Sequence, residues 1–343
     1  MKKRITAVLM LVICSIISFA HGKKDSVAIT YGRKFKTAYS QKIPKGTPVG
    51  FNEVWGWVMQ GRENELDCKA PITDVGYFAA EVNCYGQLEK IPVRANLKKF
   101  KGRIHLVLVC DSRSLTHLVL DPQFDIVDKM IKDIMRAAEK FDGVQVDYEL
   151  IPLKDGEHFM KFLERLSAEC KNAGKMFSVC VPARIKSISD DIFPYKRISD
   201  ISDRVAVMAY DEHWSTSKPG PIASLSWCEK VANYAVKTIP EEKLIMGLPF
   251  YGRSWASERT AQGWYFSGVN RIIKTYNSKK VKYEEGVPHV KIKMHVDVDC
   301  WFEDAYSTVE KMRLYQGKGI KNIAFWRIGQ EDPRVWNWIT LSE

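Results

Sequence analysis

Short apolar runs alternate along this chain with longer amphipathic stretches, and that alternation sets the expected architecture. The runs at Glu53–Met59, Ile72–Ala79, Ile104–Cys110, Phe141–Glu149, Met176–Val181, Val205–Tyr210, Leu244–Leu248 and Ile323–Trp326 read as strands. Between several of them apolar residues recur at spacings of three and four. Ile126, Val127, Met130, Ile131, Ile134, Met135 and Ala138 are one such set, and Phe159, Phe162, Leu163, Leu166 and Cys170 another. Strands that are apolar on both faces and separated by helices predict parallel pairing. Eight of them in one chain predict an α/β protein, a (β/α)8 TIM barrel. The rival, an open doubly wound sheet, lacks its glycine fingerprint: no G-x-G-x-x-G follows a strand.

Two regions break the alternation. Residues 21–50 are polar and rich in Lys, Gly and Pro, and read as a linker or an arm lying on a barrel that spans 51–343. From Ser254 to about Val296 an aromatic Gln262–Phe266 segment, a Lys-rich middle and a period-two stretch, Val290–Val296, read as a short α+β insertion after the seventh strand. The first 20 residues have a basic start, an apolar run from Ile5 to Ala20 and small residues at Ser18 and Ala20. That is the pattern of a signal peptide cleaved after Ala20, and it predicts export to the periplasm, cell envelope or medium. A retained anchor is the alternative, but the run falls short of the ~20 residues a spanning helix needs.

The formal net charge is +11, and Lys2, Lys3 and Arg4 would leave with the signal. An exported basic protein is drawn electrostatically to an anionic cell envelope. The densest basic cluster, Lys98–Arg103, lacks the fold context of a nucleic-acid site, so no nucleic acid is expected as a partner. The cysteines left after cleavage are odd in number and contain no C-x-x-C pair. Cys110 and Cys180 read as small buried hydrophobes, and Cys68 with Cys84 as a possible disulfide in an oxidising compartment. No zinc spacing is present, and neither a metal nor a cofactor is implied.

The candidate chemistry lies at the fourth strand. In Phe141–Glu149, Gln145, Asp147 and Glu149 share one strand face and Val144, Val146 and Tyr148 the other, which puts two acids about 6–7 Å apart in a row ending in Glu149. Buried acids cost several kcal/mol unless paired or used, so the row calls for an explanation. Barrel enzymes carry their reacting groups at the C-terminal ends of strands. Tyr210 and Asp211 end the sixth strand, Tyr251 and Arg253 follow the seventh, and Trp326 ends the eighth. Singly, Tyr210 reads as well as a packed phenol, Trp326 as a barrel plug and Arg253 as a surface ion pair. Together, the rings and polar groups at one rim suit a sugar.

The stretch Asp142-Gly-Val-Gln-Val-Asp-Tyr-Glu149 resembles the D-G-x-x-x-D-x-E signature of glycoside hydrolase family 18, the chitinase family. Met208-Ala-Tyr-Asp211, Gly247-Leu-Pro-Phe-Tyr-Gly-Arg253 and Phe325-Trp326 resemble three further motifs in the family's order. The resemblance implies a hydrolase that cleaves β-1,4 bonds of N-acetylglucosamine-containing glycans with the substrate's own acetamido group as nucleophile. It makes Glu149 the acid/base, with Asp147 and Tyr210 acting on the acetamido group. It places Asp211, Gln145, Met208, Tyr251, Arg253, Trp326 and Trp55 along the substrate. A glycan-binding lectin on the same barrel is the alternative; lectins of the family typically lose the acid Glu, and this chain keeps it. Two departures stand out. Gln145 replaces an Asp common in chitinases, as in bacterial relatives associated with cell-wall and spore-coat glycans. The third strand ends Val109-Cys-Asp-Ser112 instead of S-x-G-G.

Overall fold

A computed structural model describes residues 38–110, 112–256, 259–278, 280–293 and 297–342. The expected signal segment and most of the polar arm lie outside them. Eight strands form the body: β1 Glu53–Met59, β2 Asp74–Val82, β3 Arg103–Val109, β4 Gly143–Asp147, β5 Met176–Pro182, β6 Arg204–Met208, β7 Leu244–Pro249 and β8 Asn322–Trp326. Each pairs in parallel with the next, and β1 also pairs with β8, so the sheet closes into a (β/α)8 barrel. Closure explains the apolar runs: every residue of β4 and β7 is buried. Outside, helices supply the cover. The helix Gly156–Asn172 buries Phe159, Phe162, Leu163, Leu166 and Cys170 on one stripe, and Tyr148 stacks on Phe162 with ring centroids 5.7 Å apart.

The barrel interior is filled by Trp55, Trp57, Val107, Cys180, Ala206, Ile245 and Ala324. Its N-terminal mouth is closed by charge. Glu53 accepts from Arg103 (2.8 Å), Arg204 (2.7 Å) and the Trp55 indole (2.9 Å), while Asp74 binds Arg103 and His105. Glu53, Arg103 and Arg204 of that network line a cavity of about 960 Å³ at this mouth. At the end that reads as stabilising in such barrels, the network is a polar stitch across four strands.

Between β7 and β8 the chain builds a five-stranded antiparallel sheet from Gly252–Ala256, Arg259–Trp264, Lys282–Glu284, Val287–Lys293 and Asp297–Trp301. It opens at Gly252, where a Cβ would lie 2.4 Å from the Trp301 carbonyl oxygen, so only glycine fits the crossing. One face packs against the helix Phe266–Thr275 through Phe266, Val269, Ile273, Val290 and Cys300, together with Tyr39. The other face gathers Tyr251, Trp255, Val287 and Trp301 behind Tyr210 and Trp326, and so supports the barrel's C-terminal rim. Residues 38–51 run over this assembly. Tyr39 donates to Asp304 (2.9 Å), and Val49–Phe51 pairs in parallel with Ile339–Leu341.

One buried ion pair anchors the helix Ala305–Gly317, which precedes β8. Lys311 Nζ lies 2.7 Å from Glu303 Oε2, both side chains 2% exposed, and Ser307 donates to the same carboxylate. Burial pushes the Glu303 carboxyl up and the Lys311 ammonium pulls it back. Lys311→Met keeps the volume and strands the carboxylate. It is expected to cost about 3–5 kcal/mol, read as a lower denaturant midpoint with an unchanged slope.

Candidate active site

The C-terminal ends of β4, β5, β6 and β8 converge on a cavity of about 240 Å³. It is lined by Asp147, Glu149, Pro182, Ala183, Met208, Tyr210, Asp211 and Trp326. Asp147 is the last residue of β4. The strand was expected to run to Glu149, but pairing with β5 ends at Val146 and with β3 at Asp147, so Glu149 stands on the loop beyond. It faces the cleft from there, exposed, while Asp147 is only 7% exposed.

The two acids are electrostatically strained in the same direction. Burial, and then the Glu149 charge, push the Asp147 carboxyl up to about 7, with the Cys180 thiol drawing it partly back. The cleft walls displace water from Glu149 and raise its carboxyl, and the charge of Asp211 adds to this. Each carboxyl thus resists ionisation more than a free one does, which favours the protonated form a general acid requires. Tyr210 joins them. Burial, with Cys180 and Asp147 nearby, holds its phenol well above the ordinary range, so it remains an O–H donor. Trp326 lies edge-on to Phe78 (4.9 Å) and beside Trp57 (5.8 Å), and stays half-buried in the cavity wall.

Asp211 takes a left-handed backbone (φ 59°) as the chain leaves β6. Its Oδ1 accepts from the Tyr251 hydroxyl and from Arg253 (2.7 Å). Tyr251 and Arg253 are thus brought to the site but stand behind Asp211, outside the cavity lining. They clamp it from the start of the inserted sheet.

Two expected contacts are corrected. Trp55 is 1% exposed, stacked on His105 (4.3 Å) and bonded to Glu53 in the lower barrel, so it cannot touch a ligand in the cleft. Trp57, two residues on and therefore nearer the C-terminal rim on the same strand face, reaches Trp326 instead. Gln145 is fully buried beneath the cavity. Its amide oxygen accepts from Trp57 Nε1 (2.6 Å) and its amide nitrogen donates to Ser178 Oγ (3.1 Å), not to Asp147. Ser112, in the departing third-strand motif, caps the helix Arg113–Leu120 by accepting from the Leu115 N–H. Cys68 and Cys84 are both free thiols. Among the described residues His117, Asp121 and Asp155 are spaced to hold a cation. However, Lys154 Nζ already sits 3.0 Å from His117 Nε2, and Asp155 is shared with His158.

Residues 123–331 match Glycosyl hydrolases family 18. The chain belongs to glycoside hydrolase family 18. The matched span carries Asp147, Glu149, Tyr210, Asp211, Arg253 and Trp326. Among curated relatives, a cortical fragment-lytic enzyme of Bacillus anthracis is 26% identical over 288 residues. That alignment takes in 77% of this chain and 66% of the relative, so the family 18 chain spans about two thirds of that protein's length. The solved structure of the Bacillus cereus spore cortex-lytic enzyme SleL shares the fold, with a TM-score of 0.77 at 23% identity, covering 88% of this chain and 77% of that one. A chitinase from Chromobacterium violaceum does so with a TM-score of 0.72 at 21% identity, covering 83% and 96%.

Proposed function

We propose that this family 18 glycosidase is an exported enzyme that cleaves β-1,4 bonds next to N-acetylglucosamine with net retention, using the substrate's acetamido group as nucleophile. The observation that carries the reading is the joint presence of Asp147, Glu149, Tyr210 and Trp326 around one cavity, with both carboxyls raised. Glu149 protonates the glycosidic oxygen. The acetamido oxygen attacks the anomeric carbon as that bond breaks, giving an oxazolinium ion. Asp147 accepts the acetamido N–H and offsets the positive charge, and Tyr210 donates to the acetamido oxygen. Trp326 supports the apolar face of the sugar. Asp211, held by Tyr251 and Arg253, accepts from a sugar hydroxyl. Water then opens the oxazolinium ring with Glu149 as base.

The relatives named for cortex lysis support a peptidoglycan-type substrate, and the chitinase relative a chitin-type one. The basic charge supports electrostatic retention at an anionic envelope. The reading is tested by incubating the protein with chitooligosaccharides and, separately, with purified peptidoglycan, and reading the products by mass spectrometry. New reducing ends at N-acetylglucosamine are the expected result. Tight binding with no product from any N-acetylated glycan identifies a lectin instead.

A further inference from the structure

Asp147 is the buried carboxyl of the pair, and the question is what holds it facing the cleft. Its Oδ1 has no hydrogen-bond partner among the described residues, and the residue is 7% exposed. Gln145, two positions back on the same face, is committed to Trp57 and Ser178 and gives it nothing. The register of β4 with β5 pairs Val146 with Val179, so the next residues, Asp147 and Cys180, stand side by side and point the same way. Cys180 is 2% exposed and packed inward with Trp57 and Ala206, and its thiol lies close enough to the Asp147 carboxyl to favour the anion. Burial holds the thiol well above its ordinary range, so it is an S–H donor at every working pH.

We propose that Cys180 is a positioning residue of the active site, its S–H holding the Asp147 carboxylate in the orientation that meets the substrate's acetamido N–H. The inference rests on the role given to Asp147 above. The groups facing Asp147 are Glu149 from the loop after β4, Tyr210 from the end of β6 and Cys180 from β5. Asp211 lies beyond Glu149 and is paired with Arg253. Of these, the thiol is the group supplied by the adjacent strand and it favours the anion, so its removal disfavours the anion. Asp147 then binds a proton more readily, and the acid limb of activity moves to higher pH.

For Cys180→Ala the expected result is a kcat lower by about two- to tenfold, the range one neutral hydrogen bond commands, with KM unchanged and the acid limb displaced upward. Cys180→Ser keeps a donor, so its acid limb should stay at or below that of the parent and its kcat should largely recover. A second readout needs no turnover. The Asp147 carboxylic-acid band, assigned in the infrared difference spectrum against Asp147→Asn, should titrate near the parent's midpoint of about 7. That midpoint should lie higher in Cys180→Ala and not in Cys180→Ser. An unchanged titration in Cys180→Ala, or a Ser variant that moves as Ala does, overturns the proposal. If Cys180→Ala does not fold, a raised midpoint in Cys180→Ser alone overturns it. Absence of turnover by the parent on every N-acetylated glycan, with the titration shift present, sinks the function and leaves this role of Cys180 intact.

Discussion

Glu149→Gln is expected to lower kcat by ~10²–10⁴-fold or more while leaving the fold and glycan affinity near those of the parent. An amide cannot deliver a proton to the leaving oxygen, nor take one from the incoming water. The side chain is nearly the same size and stands on a loop at an exposed rim, so no core packing is disturbed. The same substitution also removes a charge that raises Asp147. The residual activity should therefore lose the part of its pH dependence that comes from the coupled pair, and the Asp147 carboxyl should titrate lower. The checks are the initial rate on a short N-acetylated oligosaccharide, affinity by calorimetry, and the denaturant midpoint. A variant with parental activity would remove Glu149 from the role of acid.

The barrel was legible because closure makes its strands apolar on both faces, and a continuous apolar run survives in the sequence without help from partners. β1 begins and ends where the pattern puts it, Glu53–Met59, and the other strands differ from their runs by a few residues at the ends. What period two does not say is how far along the barrel axis a residue sits. Trp55 and Trp57 share a face, but only the chain direction, with its rule that chemistry gathers at C-terminal ends, separates the one stacked on His105 from the one beneath Trp326. Gln145 was misplaced for a different reason. Its partners, Trp57 and Ser178, lie 88 and 33 residues away, and the strength of a Trp57 N–H bond to its amide oxygen has no local signature. Cys180 beside Asp147 is likewise a fact of inter-strand register. The cluster of Glu149, Tyr210, Asp211 and Trp326 was readable because each residue ends or follows a strand of the barrel. The clamp formed by Tyr251 and Arg253 on Asp211 needed the inserted sheet to be seen.

Removing the N-acetyl group from the sugar on the non-reducing side of the scissile bond is expected to leave the substrate inert. In the proposed route the acetamido oxygen is the nucleophile, so deacetylation deletes a reactant, and no adjustment of the protein replaces it. The carboxylates of the cavity are otherwise occupied. Asp211 is tied to Tyr251 and Arg253, and Asp147 is buried with its carboxyl held near neutrality at about 7. Neither is free to become the covalently bound carboxylate of the common retaining mechanism. The measurement is a matched pair of oligosaccharides, fully N-acetylated and selectively deacetylated at that one sugar, followed by mass spectrometry, with proton NMR of the first-formed anomer. The acetylated member should yield the β-anomer first, since attack by the acetamido oxygen and then by water inverts the anomeric carbon twice. Cleavage of both members at equal rates would rule out acetamido assistance while leaving the barrel and the glycosidase family in place. An α-anomer formed first would do the same, because a single inversion needs a water-activating base on the far face of the sugar and not an internal nucleophile.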